Sequence, residues 1–349
     1  MIRIKGRAPT ARGAVLPMLW GALAVVYKVC CPAATQEGLG TRVVTNGVCF
    51  AVGSGLMFHG RRALLRELRL ARRTARVAQS AVLRPPSPSL DGLGVVAAQL
   101  SADPGASVGG DLYEAIATEH GVRVVMGDVR GHGLAALGPV AALLGSFREA
   151  AHDEAGLDGV LRRLERAFAR HLRERADPES PSTGGIADLD DPVTEEFVTV
   201  LLLEIRPDGA LAALNCGHPW PYRLAGTTVE PLARDEPLPP LGLFPLPADL
   251  TPRACGPLRP AESLVLFTDG AEDSRDARGR FFALPEALCA AVREQPASPR
   301  RVLHHLFAAV LRHTGGTPTD DVAFMVLRNE RGPAPKARGS ARPATTRHG

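Results

Sequence analysis

Lysine is almost missing from this chain. It occurs only at positions 5, 28 and 336, so arginine carries nearly all the positive charge. Aromatic residues make up 5% of the sequence, and no basic stretch interleaves them; with a net charge of only +4, no nucleic-acid partner is expected. The six cysteines, at 30, 31, 49, 216, 255 and 289, form no C-x-x-C pair and no Cys/His cluster at zinc spacing. They read as buried or membrane-embedded thiols, which suits a reducing compartment for the soluble part. Also missing are G-x-x-x-x-G-K-[ST], H-E-x-x-H and a glycine fingerprint opening a βαβ unit. Those absences exclude a P-loop nucleotide hydrolase, a zincin and a dinucleotide fold. Gly217-His-Pro219 does not have the form of a nucleophile elbow, and no Ser/His/Asp arrangement stands out.

The positive charge that is present is concentrated in the first 84 residues. Two apolar runs lie there, Ala14 to Ala34 (broken by Lys28) and Val43 to Phe58. Each is near or below the roughly 20 residues that span a bilayer core. Arg3, Lys5, Arg7 and Arg12 precede the first, and Arg61, Arg62, Arg66, Arg69, Arg72, Arg73 and Arg76 follow the second. Under the positive-inside rule this reads as a membrane hairpin over residues 1–60 with both ends cytoplasmic. A signal peptide cut near Pro32-Ala-Ala-Thr35 and a buried soluble segment are the other readings of the same run. Residues 61–90 read as an Arg-rich helical linker, which would face lipid headgroups, pair with a second copy as a homodimer, or simply be solvated. Pro85-Pro-Ser-Pro88 ends it.

From residue 91 to 328 the pattern is that of one folded domain. Leu112 to Thr118 and Val122 to Gly127 read as two strands of a hairpin turning at Glu119-His-Gly121. Helical spacing follows over Leu134 to Ala151 and over Leu157 to Arg173, where Val160, Leu161, Leu164, Phe168 and Leu172 share a face. Strands are expected over Phe197–Ile205, Ala210–Cys216, Tyr222–Ala225, Ser263–Thr268 and Val322–Leu327. Two more helices are expected over Pro285–Arg293 and Pro299–His313. Residues 176–191 read as a mobile loop, 231–250 as irregular, and the tail 329–349 as disordered. Strands joined by short turns imply antiparallel sheets with helices packed outside, an α+β fold.

Folding the 112–127 hairpin sets Asp111 opposite Asp128 to within one residue, with the β-carbons roughly 5 Å apart. Like charges that close repel unless something positive lies between them. Asp269 and Asp320 also stand at strand ends. Any one of these aspartates alone would pass for a turn residue or a helix cap. Together they form a hard-oxygen donor set that favours Mg²⁺ or Mn²⁺ and metal-assisted hydrolysis.

Six motifs occur in order: Val108-Gly-Gly-Asp111-Leu-Tyr, Gly127-Asp128-Val-Arg-Gly-His-Gly-Leu134, Phe197-Val-Thr199, Asn215-Cys-Gly-His-Pro219, Phe267-Thr-Asp-Gly270 and Thr319-Asp-Asp-Val322. In these the chain resembles the SpoIIE/RsbU-like branch of the metal-dependent PPM (type 2C) serine/threonine phosphatases, over residues 95 to 328. The resemblance implies an antiparallel β-sandwich flanked by helices on both sides, with two Mn²⁺ or Mg²⁺ ions at one end. It implies that Asp128 bridges both metals, that Val129 offers its backbone carbonyl, and that Asp111, Asp269 and Asp320 complete the shell, with Asp321 opening the strand or substituting for its neighbour. It further implies that a metal-bound water is the nucleophile. His132 would either donate a proton to the leaving oxygen or shape the turn into the next helix. The substrate class implied is a phosphorylated anti-sigma-factor antagonist; a phosphoprotein-binding module without turnover is the alternative.

Overall fold

The computed structural model describes residues 52–66, 82–101, 109–131, 134–176, 196–293, 298–318 and 320–332. The chain divides into two compact units. Met1–Val77 with Pro181–Leu189 form one, and Ala78–Ser180 with Asp190–Gly349 form the other. In the first, residues 52–66 are helical and leave Met57, Phe58, Leu64 and Leu65 exposed, with the Arg62 guanidinium 4.2 Å from the centre of the Phe58 ring. No helix among the described residues is long and apolar enough to cross a membrane. The first apolar run and most of the hairpin expected over 1–60 lie outside the described residues, as do most of the linker helix, the loop over 177–191 and the tail beyond 332.

The second unit is built from β1 (Ser89–Leu90), β2 (Leu93–Leu100), β3 (Asp111–Thr118), β4 (Gly121–Val129), α1 (Leu134–Asp153), α2 (Leu157–Ala176), β5 (Val198–Ile205), β6 (Ala210–Cys216), β7 (Tyr222–Ala225), β8 (Thr228–Pro231), β9 (Arg253–Pro257), β10 (Ser263–Phe267), α3 (Gly270–Asp273), α4 (Leu284–Arg293), α5 (Pro299–His313) and β11 (Val322–Asn329). One sheet has the order β1-β2-β11-β10-β7-β8 and the other β3-β4-β5-β6-β9. The strand pairs within both are antiparallel.

Three apolar clusters set the layers. Val122, Val124 and Met126 of β4 pack with Leu201 and Leu203 of β5 and with Met325 and Leu327 of β11, between the sheets. The alternate residues, Val125 of β4 and Val200 and Leu202 of β5, meet Leu143, Phe147, Leu161 and Phe168 of α1 and α2. On the far side Val265 and Phe324 meet Leu288, Val302 and Leu306 of α4 and α5. The result is helix, sheet, sheet, helix. Because both faces of the central strands are buried, these strands read as near-continuous apolar runs instead of alternating ones.

Each long helix buries the stripe its sequence shows: in α2 these are Leu157, Val160, Leu161, Leu164 and Phe168. Pro299 enters α5 at its first turn, behind the Ser298 cap that accepts from the Arg301 N–H. Strands β8 and β9 flank the stretch 231–250 expected to be irregular, with only Pro231 inside it. They are short outer strands with little buried surface, so they carry no hydrophobic pattern to read.

Charged residues interrupt the apolar strands at Glu114, Arg123 and Glu204. Arg123 of β4 lies directly across from Glu204 of β5, and both are buried. Glu114 of β3 makes a second pair, 2.8 Å from Arg148 of α1.

Gly127 marks a close approach of β4 to β5. A β-carbon there would overlap the Thr199 carbonyl on the neighbouring strand. Gly127→Ala must push β4 from β5 at the residue before Asp128; a loss of about 2–3 kcal/mol in urea unfolding is expected.

Candidate metal centre

The register of β3 and β4 decides the site. Thr118 pairs with Gly121 across a two-residue turn, Glu119-His120, and the Thr118 hydroxyl donates to the Gly121 carbonyl at 2.9 Å. Counting back from that turn pairs Asp111 with Asp128 directly. The period of two then puts Asp111 on the side of Tyr113 and Ala115, and Asp128 on the side of Val124 and Met126, in the gap between the sheets.

The opposite sheet supplies the rest. β10 runs out through Thr268 into Asp269, and Asp320-Asp321 lead into β11. Each sheet therefore brings carboxylates to the same end of the sandwich. Their mutual influence is large. Burial raises the Asp111 carboxyl well above the usual range, and Asp128, Asp321 and Asp269 push it further. Asp128 is pushed up to about 8, by burial first and then by Asp269, Asp320 and Asp321. Asp269 is raised by burial and by Asp320 and Asp273. Gln99 donates to Asp111 Oδ2 at 3.1 Å, and the Thr268 hydroxyl bonds the same carboxylate.

The Gly-Gly before Asp111 has a steric reason. A β-carbon at Gly109 would overlap the Asp321 carboxylate, and one at Gly110 would overlap the Val129 carbonyl and stand 2.6 Å from Asp128 Oδ1. Asp321, Val129 O and Asp128 are thus all packed against this one turn.

The residues suit a hard divalent cation by charge and donor type: carboxylates and a carbonyl, with no salt bridge to Asp111, Asp128, Asp269 or Asp320 among the described residues. They are gathered but not closed: among the described residues no three acidic, histidine or cysteine side chains form a ready-made metal-binding group. His132 lies outside the described residues, so its part in the site does too. Arg130 is exposed, with its guanidinium 5.2 Å from the centre of the Phe197 ring.

The family model described as Stage II sporulation protein E (SpoIIE) matches residues 118–330. The chain belongs to the SpoIIE family. No curated protein gives a match. Among solved structures, the RsbU and RsbW domains of Rv1364c from Mycobacterium tuberculosis align with a TM-score of 0.54 at 20% identity. That alignment covers 72% of this chain and 64% of that one, so the chain spans less than two thirds of it. The SiaA-PP2C domain of Pseudomonas aeruginosa aligns with a TM-score of 0.52 at 18% identity, over 78% of this chain and 98% of that one. The PP2C phosphatase domain of Bacillus subtilis SpoIIE, with a fragment of its regulatory domain, aligns with a TM-score of 0.50 at 14% identity, over 68% and 62%. At these identities the likeness is one of fold: this SpoIIE-family chain has the PP2C sandwich.

Sequence reasoning kept Asp321 in reserve behind Asp320 and passed over Gln99 and Thr268. The structure brings all three to the acidic end. Asp321 stands beside Asp320 in the last motif; Gln99 carries no signal, because its strand is rich in small residues.

A stability prediction for this SpoIIE-family chain follows from the raised carboxyls. Unfolded, Asp128 loses its proton near 3.8; folded and without cation it holds it to about 8. The folded state binds more protons in that window, so stability falls as pH rises through it. His218, lowered from 6.5 to about 3 by burial, works in the opposite sense, but only below about 6.5. In EDTA the melting temperature is therefore expected to fall between pH 6.5 and pH 8, and Mn²⁺ to raise it more at pH 8. Calorimetric melting checks this; a rise in EDTA over the same interval contradicts it.

Proposed function

We propose that the chain is a divalent-cation-dependent protein serine/threonine phosphatase acting on a phosphorylated regulatory protein, with an anti-sigma-factor antagonist as the substrate class. The observation that carries this reading is the meeting of Asp111 and Asp128 from one sheet with Asp269, Asp320 and Asp321 from the other, a negative site that runs from buried Asp111 to exposed Asp269 and Asp320, the first four without a salt bridge among the described residues. Asp111, Asp128, Asp269, Asp320 or Asp321, and the Val129 carbonyl would hold two Mn²⁺ or Mg²⁺ ions. Such ions, when bound, supply Lewis acidity to a phosphoryl group and lower the pKa of water. The chain's own residues do the positioning. Gln99 and Thr268 aim the Asp111 carboxylate, and the Gly109-Gly110 turn leaves room beside Asp128 and Asp321. The partner-switching setting draws support from the fold shared with RsbU and SpoIIE domains.

A membrane hairpin over residues 1–60, holding the phosphatase domain on the cytoplasmic side, is part of the proposal. Its support is the arginine distribution and the exposed Met57 and Phe58 on the helix of residues 52–66. The full chain should then pellet with membranes and be released by detergent but not by salt.

The functional test is phosphate release from a phosphoserine peptide by the full chain, with Mn²⁺ and with EDTA. Release that needs the cation is expected. Binding of the peptide without release in Mn²⁺ would identify a recognition module instead.

A further inference from the structure

A buried histidine that the proposed reaction does not use lies between the two sheets, behind the carboxylates. His218 follows β6 and is 2% exposed. Its backbone is locked to Asn215: the His218 N–H donates to Asn215 Oδ1 at 2.9 Å, and its carbonyl accepts from Asn215 Nδ2 at 2.8 Å. Ring Nδ1 lies 3.0 Å from Thr199 Oγ1. That same hydroxyl accepts the backbone N–H of Asp128 at 3.1 Å. The ring also meets the backbone of Phe267, two residues ahead of Asp269 in the other sheet. Its Nε2 is buried without a hydrogen-bond partner among the described residues.

Burial keeps the imidazole neutral, so it has one donor nitrogen and one acceptor nitrogen. The Phe267 backbone offers a carbonyl, which calls for a proton on Nε2. Nδ1 is then the acceptor for the Thr199 O–H, whose oxygen is free to accept from Asp128. That tautomer satisfies Nδ1, the Thr199 hydroxyl and the Asp128 N–H, and leaves the Nε2 proton turned to the Phe267 backbone without a full hydrogen bond.

We infer that Thr199 and His218 are positioning residues for the cation site: the Thr199 hydroxyl fixes Asp128, and His218 ties that hydroxyl to the strand leading to Asp269. This rests on the reading of Asp128 and Asp269 as cation-holding residues. It gives the Phe197-Val-Thr199 and Gly217-His-Pro219 motifs a task at the site. The Thr199 hydroxyl acts through the Asp128 backbone N–H, one step behind the carboxylate; partners that bond a metal-holding group itself are worth about 10–100-fold in metal affinity, so the lower end of that range applies.

The test uses the full chain and calorimetric titration with Mn²⁺, with melting in EDTA as the control for folding. Thr199→Val, which keeps the shape but removes the hydroxyl, is expected to weaken Mn²⁺ binding about tenfold or more. Thr199→Ser is expected to stay within about twofold of wild type. His218→Leu should weaken binding as Thr199→Val does, and the double variant should be no worse than either alone, because both break one relay. The inference is overturned if Thr199→Val binds Mn²⁺ as wild type does, or if Thr199→Ser is equally impaired. It is also overturned if affinity across the variants follows the EDTA melting temperature instead of the hydroxyl, or if wild type binds no Mn²⁺. Wild type that binds Mn²⁺ but releases no phosphate defeats the phosphatase reading and leaves this inference standing.

Discussion

Asp128→Asn is expected to reduce Mn²⁺-dependent phosphate release on the order of 10³-fold, about 4 kcal/mol in the barrier. Asp128 faces Asp111 directly across the hairpin, and the carboxylates of the other sheet act on both. The amide keeps the shape and removes the charge that a shared cation needs. The fold should not suffer. Without cation, Asp128 is a half-buried acid pushed up to about 8 by desolvation and by Asp269, Asp320 and Asp321, so neutralising it relieves repulsion. At pH 8 in EDTA the variant is expected to melt at or above the wild-type temperature. Loss of activity together with retained or raised metal-free stability separates a functional carboxylate from a structural one. Activity within about tenfold of wild type would remove Asp128 from the site.

Glu204→Ala is expected to cost about 3–5 kcal/mol, the largest single loss of stability foreseen in the domain. Arg123 has no solvent-exposed side-chain surface and donates to Glu204 Oε2 through Nε at 3.0 Å and Nη2 at 2.8 Å. Its remaining donors reach the carbonyls of Ala151, Glu154 and Ala155, where α1 ends and the chain turns into α2. One guanidinium therefore joins the centre of a sheet to the end of the helix covering it, where a cation also suits the helix dipole. Removing the carboxylate leaves that charge buried with only carbonyls to meet it. Replacing both partners with apolar residues, Arg123→Met with Glu204→Leu, should cost less than Glu204→Ala alone. Urea unfolding of the three proteins checks the order.

The part of the site on β3 and β4 was legible because a short turn sets the register of a hairpin, and the register puts two carboxylates together. Asp269 and Asp320 were legible only as strand-end aspartates next to familiar motifs, since nothing local shows that their strands face β3 and β4 from another sheet. The Arg123–Glu204 pair went unread for a related reason. Its members are 81 positions apart and meet because β4 pairs with β5. The trace it leaves is a single charge in each of two apolar runs, of opposite sign. β2 was missed because Gly94-Val-Val-Ala-Ala-Gln99 has neither alternation nor bulk, although it pairs along its whole length with β11. Small residues suffice there because Val95 and Val96 on β2 meet apolar layers on either side.

Anomalous diffraction at the manganese edge, on crystals of the full chain grown with Mn²⁺, locates the cation that the site carboxylates are proposed to hold. Manganese is expected at the acidic end of the sandwich, within coordination distance of the Asp128 carboxylate and held from the other sheet by Asp269 and Asp320 or Asp321. Manganese bound elsewhere, or none at that end under millimolar Mn²⁺, would contradict that assignment.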